Sequence, residues 1–475
     1  MRWLDRRIAA ALGLAAAAAA AGCPAPAPTA SPGLGEALPP APGINVLVVS
    51  FDALRADRLG VYGYPRPTSP GLDAFARGAV VFDRVWAAGQ ATPTSFAAAF
   101  TGRWPAHVFR GWRLEPVPTL AGTFAAAGYD TAFFSASPQL VPERGFDRGF
   151  GRYEILAAPA GDADAEADGD ADDEQVLRRA SRWLAEEARA PFLLWVHFLS
   201  PHAPYDHRAG SAHLYRAPAA GRFERTTGPA FEVRSAAELA RVADLYDGEV
   251  LHADRLFGRL QQVSAAAAGH AGEILVAVTA DHGEELMDHG GLQHVKVFEE
   301  VIRIPLIVRH PRGAGGRRSD LPASNVDLLP TLAEIAGLEP PAGIDGVSLL
   351  APPVPDRLRL ALAMTHPTEH YLAAARGSEK AIVDCRRGSG TLYDLAADPR
   401  EERDLLGERR RSYRRLVAAA ALALDAEPCR LMRDAIGGVP AASGLDDETA
   451  GRLRALGYLG GGTGEAPDPG GGERD

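Results

Sequence analysis

At 475 residues, 46% hydrophobic and 23% charged, the chain has the composition of a large globular protein, which excludes collagen-like and low-complexity classes. The net charge of −11, with no basic patch interleaved with aromatic residues, argues against nucleic acid as a partner. The charge is concentrated: the segment 162–174, DADAEADGDADDE, holds eight acids and no base, and the rest of the chain carries −3.

The amino terminus, MRWLDRRIAAALGLAAAAAAAGC, has a basic start, an apolar core and small residues before Cys23. This is the pattern of a bacterial lipoprotein signal peptide, although Leu is usual where Ala20 stands. The alternative is secretion after cleavage at a small-residue site. The Ala-rich run falls short of the ~20 strongly apolar residues that a membrane span needs. Residues 24–43, rich in Pro and Ala, read as a semi-rigid tether. With Cys23 lipidated, the protein is expected to be exported and membrane-anchored, facing the periplasm or exterior.

Three later segments alternate strand and polar turn. Residues 44–57, INVLVVSFDALRAD, form a β-branched run ending at Asp52, as a buried parallel strand should. Residues 191–207, PFLLWVHFLSPHAPYDH, run from an apolar strand into a loop carrying His202. His197 lies inside that strand and reads as a core histidine. Residues 273–283, EILVAVTADHG, end in Asp281-His282-Gly283, with Glu284, Glu285 and His289 close behind. Acids at the carboxyl ends of such strands sit where α/β sheets place their ligands. Asp and His together offer hard and borderline metal ligands.

Between the first two strands, Thr92-Pro93-Thr94-Ser95-Phe96 leads into an apolar run ending at Thr101-Gly102. Thr92 reads as the N-cap of a buried helix with Pro93 at its first position. The free N–H groups and dipole of that helix favour an anion beside Thr92. Residues 291–311, GLQHVKVFEEVIRIPLIVRHP, place His294 and Lys296 before another strand. The acidic segment 162–174 reads as a solvated insertion rather than a calcium-collecting loop. Cys385 and Cys429 are the cysteines left after Cys23, and in an exported protein they are candidates for one disulfide.

These segments together resemble the sulfatase family of the alkaline phosphatase superfamily. The stretch 92–102 is similar to its active-site pattern C/S-x-P-S-R followed by T-G, with Thr92 at the catalytic position. Asp52 and Asp281-His282 fall on its metal motifs, and His202 and His294 on positions that contact the ester. Further stretches are like the family in order: 245–260 a helix, 324–350 a helix and loop in which Asp327 caps or anchors, 391–406 a hairpin, and 445–461 a closing helix. The resemblance implies an α/β fold with a central mixed, mostly parallel sheet flanked by helices. A small C-terminal α+β subdomain is expected over 351–460, after a catalytic core at 44–350, with 461–475 a disordered tail.

The departures matter as much. Threonine cannot be oxidised to formylglycine, so the resemblance points to an unmodified Thr92 alkoxide. Asp52, Thr92, Asp281 and His282 are then the expected ligands of a divalent metal ion, calcium, zinc or manganese. His202 or His294 is the expected acid for the leaving group. Ala53 replaces a second Asp, Ser200 replaces an Asp, Thr94 the motif's Pro, and Phe96 its Arg or His. The expected activity is metal-dependent hydrolysis of small anionic sulfate or phosphate esters. A phosphoryl-group transferase on envelope lipids or glycans, and a catalytically inactive binding lipoprotein, are the alternatives. Oligomeric state stays open.

Overall fold

The computed structural model describes residues 34–156, 169–203, 205, 235–365, 370–436, 445–447 and 449–451. The signal segment with Cys23, the tether up to residue 33, most of the acidic stretch, the tail and most of the closing segment lie outside the described residues.

Among the described residues, a nine-stranded sheet forms the core. Its strands and the helices that matter here are β1 (Asn45–Phe51), β2 (Val80–Trp86), α1 (Thr92–Thr101), β3 (Asp130–Ser135), β4 (Arg152–Ile155) and α2 (Gly169–Arg182). They continue with β5 (Phe192–Phe198), α3 (Ala236–Ala271), β6 (Ile274–Ala280), β7 (Arg303–Arg309) and β8 (Arg317–Ser319). The order across the sheet is β8-β2-β7-β6-β1-β5-β3-β4, with Ala323–Ser324 also against β2. Strands β6, β1, β5, β3 and β4 run parallel. Strand β7 runs antiparallel to both its neighbours, which makes the sheet mixed. Every residue of β1, β5 and β6 is buried. That is why these three strands read as unbroken apolar runs rather than alternating ones.

Register at the sheet centre decides where the polar residues go. Phe51 pairs with Phe198 on one side and with Ala280 on the other. Asp52 and Asp281 therefore leave neighbouring strands at the same level. His197 lies level with Ser50, one residue short of that edge.

Helix α1 starts one residue earlier than its cap pattern suggests. Ala91 is the N-cap, and Thr92 and Pro93 are the first two helical residues. Thr92 is thus not a capping residue; its hydroxyl points elsewhere. The helix closes on Gly102, whose φ of 64° is a left-handed conformation that glycine adopts without steric cost.

A four-stranded antiparallel sheet follows, made of Arg359–Ala363, Tyr371–Arg376, Glu379–Asp384 and Ser389–Asp394. The first two are Ala-rich, and their low β-propensity hides them in the sequence. Buried Lys380 pairs with Glu299 at 3.2 Å and Glu401 at 2.8 Å, tying this sheet to the segment before β7. Asp327 anchors its loop, accepting from the Ser324 and Val347 N–H groups and pairing with Arg357. Among the described residues no helix is long and apolar enough to cross a membrane.

Cys385 and Cys429 form a disulfide with their Cα atoms 5.2 Å apart, closing a loop across 44 positions. Cross-linking a loop of this size restricts the unfolded chain and contributes about 2–4 kcal/mol. Replacing both cysteines by Ala is expected to lower Tm by several degrees. Thermal melts of the variant against the oxidised protein test this, and unchanged melting would rule it out.

Candidate active site

Asp52, His197, Asp281 and His282 are fully or almost fully buried at the carboxyl ends of β1, β5 and β6. Single ligand atoms of Asp52, His197 and Asp281 lie within 4.8 Å of one another. His282 Nε2 is 3.5 Å from Asp52 Oδ1 and 3.6 Å from Asp281 Oδ2. His197 Nε2 is 3.8 Å from Asp52 Oδ2. Four atoms at this point, Asp52 Oδ1, Asp281 Oδ2, His197 Nε2 and His282 Nε2, have no hydrogen-bond partner among the described residues. Buried polar atoms are nearly always satisfied, so a convergence of unsatisfied ones fits a bound cation.

The surrounding bonds aim these atoms inward. His282 donates from Nδ1 to the Gly283 carbonyl at 2.8 Å, which makes Nε2 the lone-pair nitrogen facing the acids. Asp281 Oδ1 accepts from the Ala53 N–H at 3.2 Å and the His282 N–H at 2.7 Å. Ala53, standing where a second acid was the expectation, takes φ 61° and contributes its backbone instead. Tyr246, on α3, donates to the Ala53 carbonyl at 2.7 Å and accepts from the Arg55 N–H at 2.9 Å. Gly283 is obligatory for packing, because a Cβ there would stand 2.1 Å from the Glu300 carbonyl oxygen.

The electrostatics follow from burial and proximity. Burial would raise the Asp52 carboxyl, but His202, His197 and His282 hold it below the usual carboxylate range. Asp281 moves the other way, pushed up by burial and by the Asp52 charge. Burial lowers His282, favouring the neutral imidazole that ligates metals.

Thr92 is fully buried, and its hydroxyl donates to Asp52 Oδ2 at 3.3 Å. The α1 amino end therefore presents that hydroxyl to the same point. Ser95 holds the helix in place: its hydroxyl donates to the Asp281 carbonyl at 2.6 Å and accepts from Asn325 Nδ2 at 2.8 Å. Phe96 stands behind His197 in an aromatic cluster. Its ring packs against Phe100, Phe133, Trp195 and His197 with centroids 4.7–6.0 Å apart.

A second group sits beside the first. His202, Glu284 and His294 place single ligand atoms within 4.8 Å of one another. His294 Nδ1 is 3.4 Å from Glu284 Oε1, and the His294 ring lies 4.2 Å from that of His282. Burial pulls His294 down to about 3, so it is neutral at neutral pH. Burial pushes Glu284 up to about 7. Lys296 takes no part, since its Nζ pairs with Glu285 at 3.0 Å. His202 and His294, each 8% exposed, are the outermost residues of the cluster.

Three contributors were not legible as functional residues. His197 read as a satisfied core histidine; its Nδ1 does meet Ser50 at 3.0 Å, but its Nε2 faces Asp52. Glu284 carried no role of its own in the sequence beyond following Asp281-His282-Gly283, and it is fully buried. Asp173, within the stretch read as a solvated insertion, is buried and accepts from the Leu199 and Ser200 N–H groups at 2.7 and 2.9 Å. It fixes the loop that carries His202. The helix around it, α2, starts at Gly169, inside that stretch.

A family model for sulfatases matches residues 44–338. The chain is 26% identical over 403 residues to an ulvan-active sulfatase of Formosa agariphila, covering 77% of each. It resembles a solved phosphonate monoester hydrolase of Agrobacterium radiobacter at 22% identity and TM-score 0.63, over 80% of this chain and 95% of that one. It also resembles a structure in complex with its substrate D-glucosamine-2-N,6-O-disulfate, at 18% identity and TM-score 0.66, over 81% and 99%.

The placement of Phe96 yields a test. Phe96→Ala is expected to cost about 3–5 kcal/mol through the cavity it leaves. Phe96→Arg, which restores the family residue, should cost at least as much, because it buries a charge without a partner. Denaturant unfolding measures both. An Arg variant as stable as wild type would mean that the side chain reaches the site after all.

Proposed function

The chain belongs to the sulfatase family, and on that footing we propose that it is a metal-dependent hydrolase of small sulfate or phosphate esters whose nucleophile is the unmodified Thr92. The observation that carries this reading is the Thr92 hydroxyl, 3.3 Å from Asp52 Oδ2 where four unpartnered ligand atoms converge. Sulfatases typically bind a divalent metal, and the donor set fits one. Asp52, Asp281 and His282, with Thr92, would hold it, and His197 stands beside them. A cation bound there lowers the pKa of the Thr92 hydroxyl and neutralises charge on the transferring group.

The protein's own residues account for the rest. The Thr92 hydroxyl directs its proton at Asp52 Oδ2, leaving the oxygen lone pairs for attack on phosphorus or sulfur. The amino end of α1 adds its N–H dipoles to the oxyanion. As the Thr92 oxygen bonds to the central atom, the bond to the leaving oxygen breaks and that oxygen takes a proton. His202 or His294, the outer residues of the cluster, would supply it. Water then cleaves the Thr92 ester, releasing phosphate or sulfate and restoring the hydroxyl. The outer position of His202 and His294 puts the leaving group on the open side of the cluster. Phe96 packs behind His197 and takes no ligand's place, so its presence does not by itself argue for lost turnover.

Thr92 favours phosphate esters, since a simple alkoxide serves phosphoryl transfer, whereas family likeness favours sulfate esters. The segment 1–43 supports a lipid anchor on Cys23, which places the enzyme at a membrane surface outside the cytoplasm.

Hydrolysis of aryl phosphate monoester, aryl phosphodiester and aryl sulfate by the purified protein tests the reading. Chelation should abolish turnover, and added metal should restore it. Thr92→Ala should lower kcat on the order of 10^3-fold or more, while Thr92→Ser keeps measurable activity. Equal activity in Thr92→Ala would exclude the alkoxide mechanism.

A further inference from the structure

Where β2 and β7 meet the four-stranded sheet, basic side chains gather without acidic partners. We infer that Arg84, Arg303 and Arg359 bind a tetrahedral oxyanion, phosphate or sulfate, in the cavity they line. The cavity has a volume of about 340 Å³, and none of the described residues that line it belongs to the nucleophile group. Along the sheet, β7 and β2 lie one and two strands beyond β6.

The strands deliver these side chains. Arg303, the first residue of β7, pairs with Trp86, the last residue of β2. Side chains directly opposite in a strand pair share a face, and so do residues two apart. Arg84 therefore stands on the same face as Trp86 and Arg303. Arg359 opens the four-stranded sheet, and its guanidinium carbon lies 4.3 Å from the centre of the Trp86 ring. Trp86 is thus the platform on which residues from both sheets converge.

What these arginines lack is an acid. Arg84 donates to the Gly377 carbonyl, Arg303 to the Asp83 carbonyl at 3.3 Å and Arg359 to the Arg84 carbonyl at 3.4 Å. None of the three forms an ion pair among the described residues. The two carboxylates in the cavity wall are taken by other cations, Asp83 by Arg318 and Glu299 by Lys380. Lys380 in turn pairs with Glu401. Counting those partners, five cationic side chains stand against three carboxylates. Arg359 is only 3% exposed, and burial, with the Arg84 and Arg303 charges, pulls it down to about 10 despite Glu299. A buried surplus of guanidinium charge is costly unless an anion faces it. Guanidinium forks suit phosphate and sulfate, because two parallel donors meet two oxygens at once. An ion there joins Arg84 and Arg303 of the core to Arg359 of the C-terminal sheet. It is of the class that the proposed hydrolysis releases, but the inference does not rest on that reading.

The test is equilibrium dialysis of the full-length protein against labelled inorganic phosphate, with and without chelator. Chelation strips the Asp52 and Asp281 group of metal, so the binding that persists reports the arginine cavity. One persistent ion per chain is expected, displaced by sulfate and not by chloride at equal ionic strength. Arg359→Met should weaken it on the order of 10-fold or more, through loss of a charge-assisted pair. Arg84→Gln, at a half-buried position, should weaken it too and decides the matter if the first variant fails to fold. Competition by phenyl phosphate as strong as that by sulfate would support a terminal phosphate group of a larger molecule as the occupant. Weaker competition would support the free ion. Binding that chelator abolishes, or that either folded variant keeps at full strength, overturns the inference. Failure to hydrolyse any ester would overturn the hydrolase reading alone.

Discussion

Asp52 and Asp281 are buried side by side because β1 and β6 pair in register and both end there. Two carboxylates so placed cannot both stay ionised without compensation; a proton or a cation has to come between them. The imidazoles of His197, His202 and His282 hold Asp52 as a carboxylate, and Asp281 is the one driven upward. Around this constraint the loops are locked rather than loose. Tyr246 holds the turn after β1, Ser95 and Asn325 fix α1 against the turn after β6, and Asp173 fixes the turn after β5. Each lock comes from a different element, so the site depends on the whole sheet being assembled.

Much of this was legible in the chain. Apolar runs ending in Asp52 and Asp281-His282 announce parallel strands that deliver acids to one sheet edge, and the central sheet is mixed and mostly parallel as the family resemblance implies. What stayed hidden depended on side-chain direction. His197 lies in a fully buried strand, where no alternation marks which face points at a ligand. Asp173 belongs to an acidic run whose composition signals solvent, yet the Leu199 and Ser200 N–H groups hold it inside, and Glu284 is buried against His294. Thr92 carries the signature of a cap, but the helix begins at Thr92 itself, so the hydroxyl is spent on Asp52 instead of on the backbone.

The altered residues of the nucleophile loop look different once placed. Phe96 belongs to an aromatic cluster under the sheet and leaves the reacting centre to other groups. Ala53 adds no carboxylate, but its N–H supports Asp281, and His197 brings an imidazole toward Asp52. The cluster thus has nitrogen on two sides of Asp52.

The claim on which the account stands is that Thr92 itself carries the transferred group. Its most direct test is acid quenching of the metal-loaded enzyme during turnover of an aryl ester, followed by mass spectrometry of the peptide containing residues 92–103. The account predicts a phosphoryl or sulfuryl adduct on Thr92 that disappears when substrate is exhausted and never forms in Thr92→Ala. Sustained turnover with Thr92 unmodified, or an adduct on another residue, would contradict it.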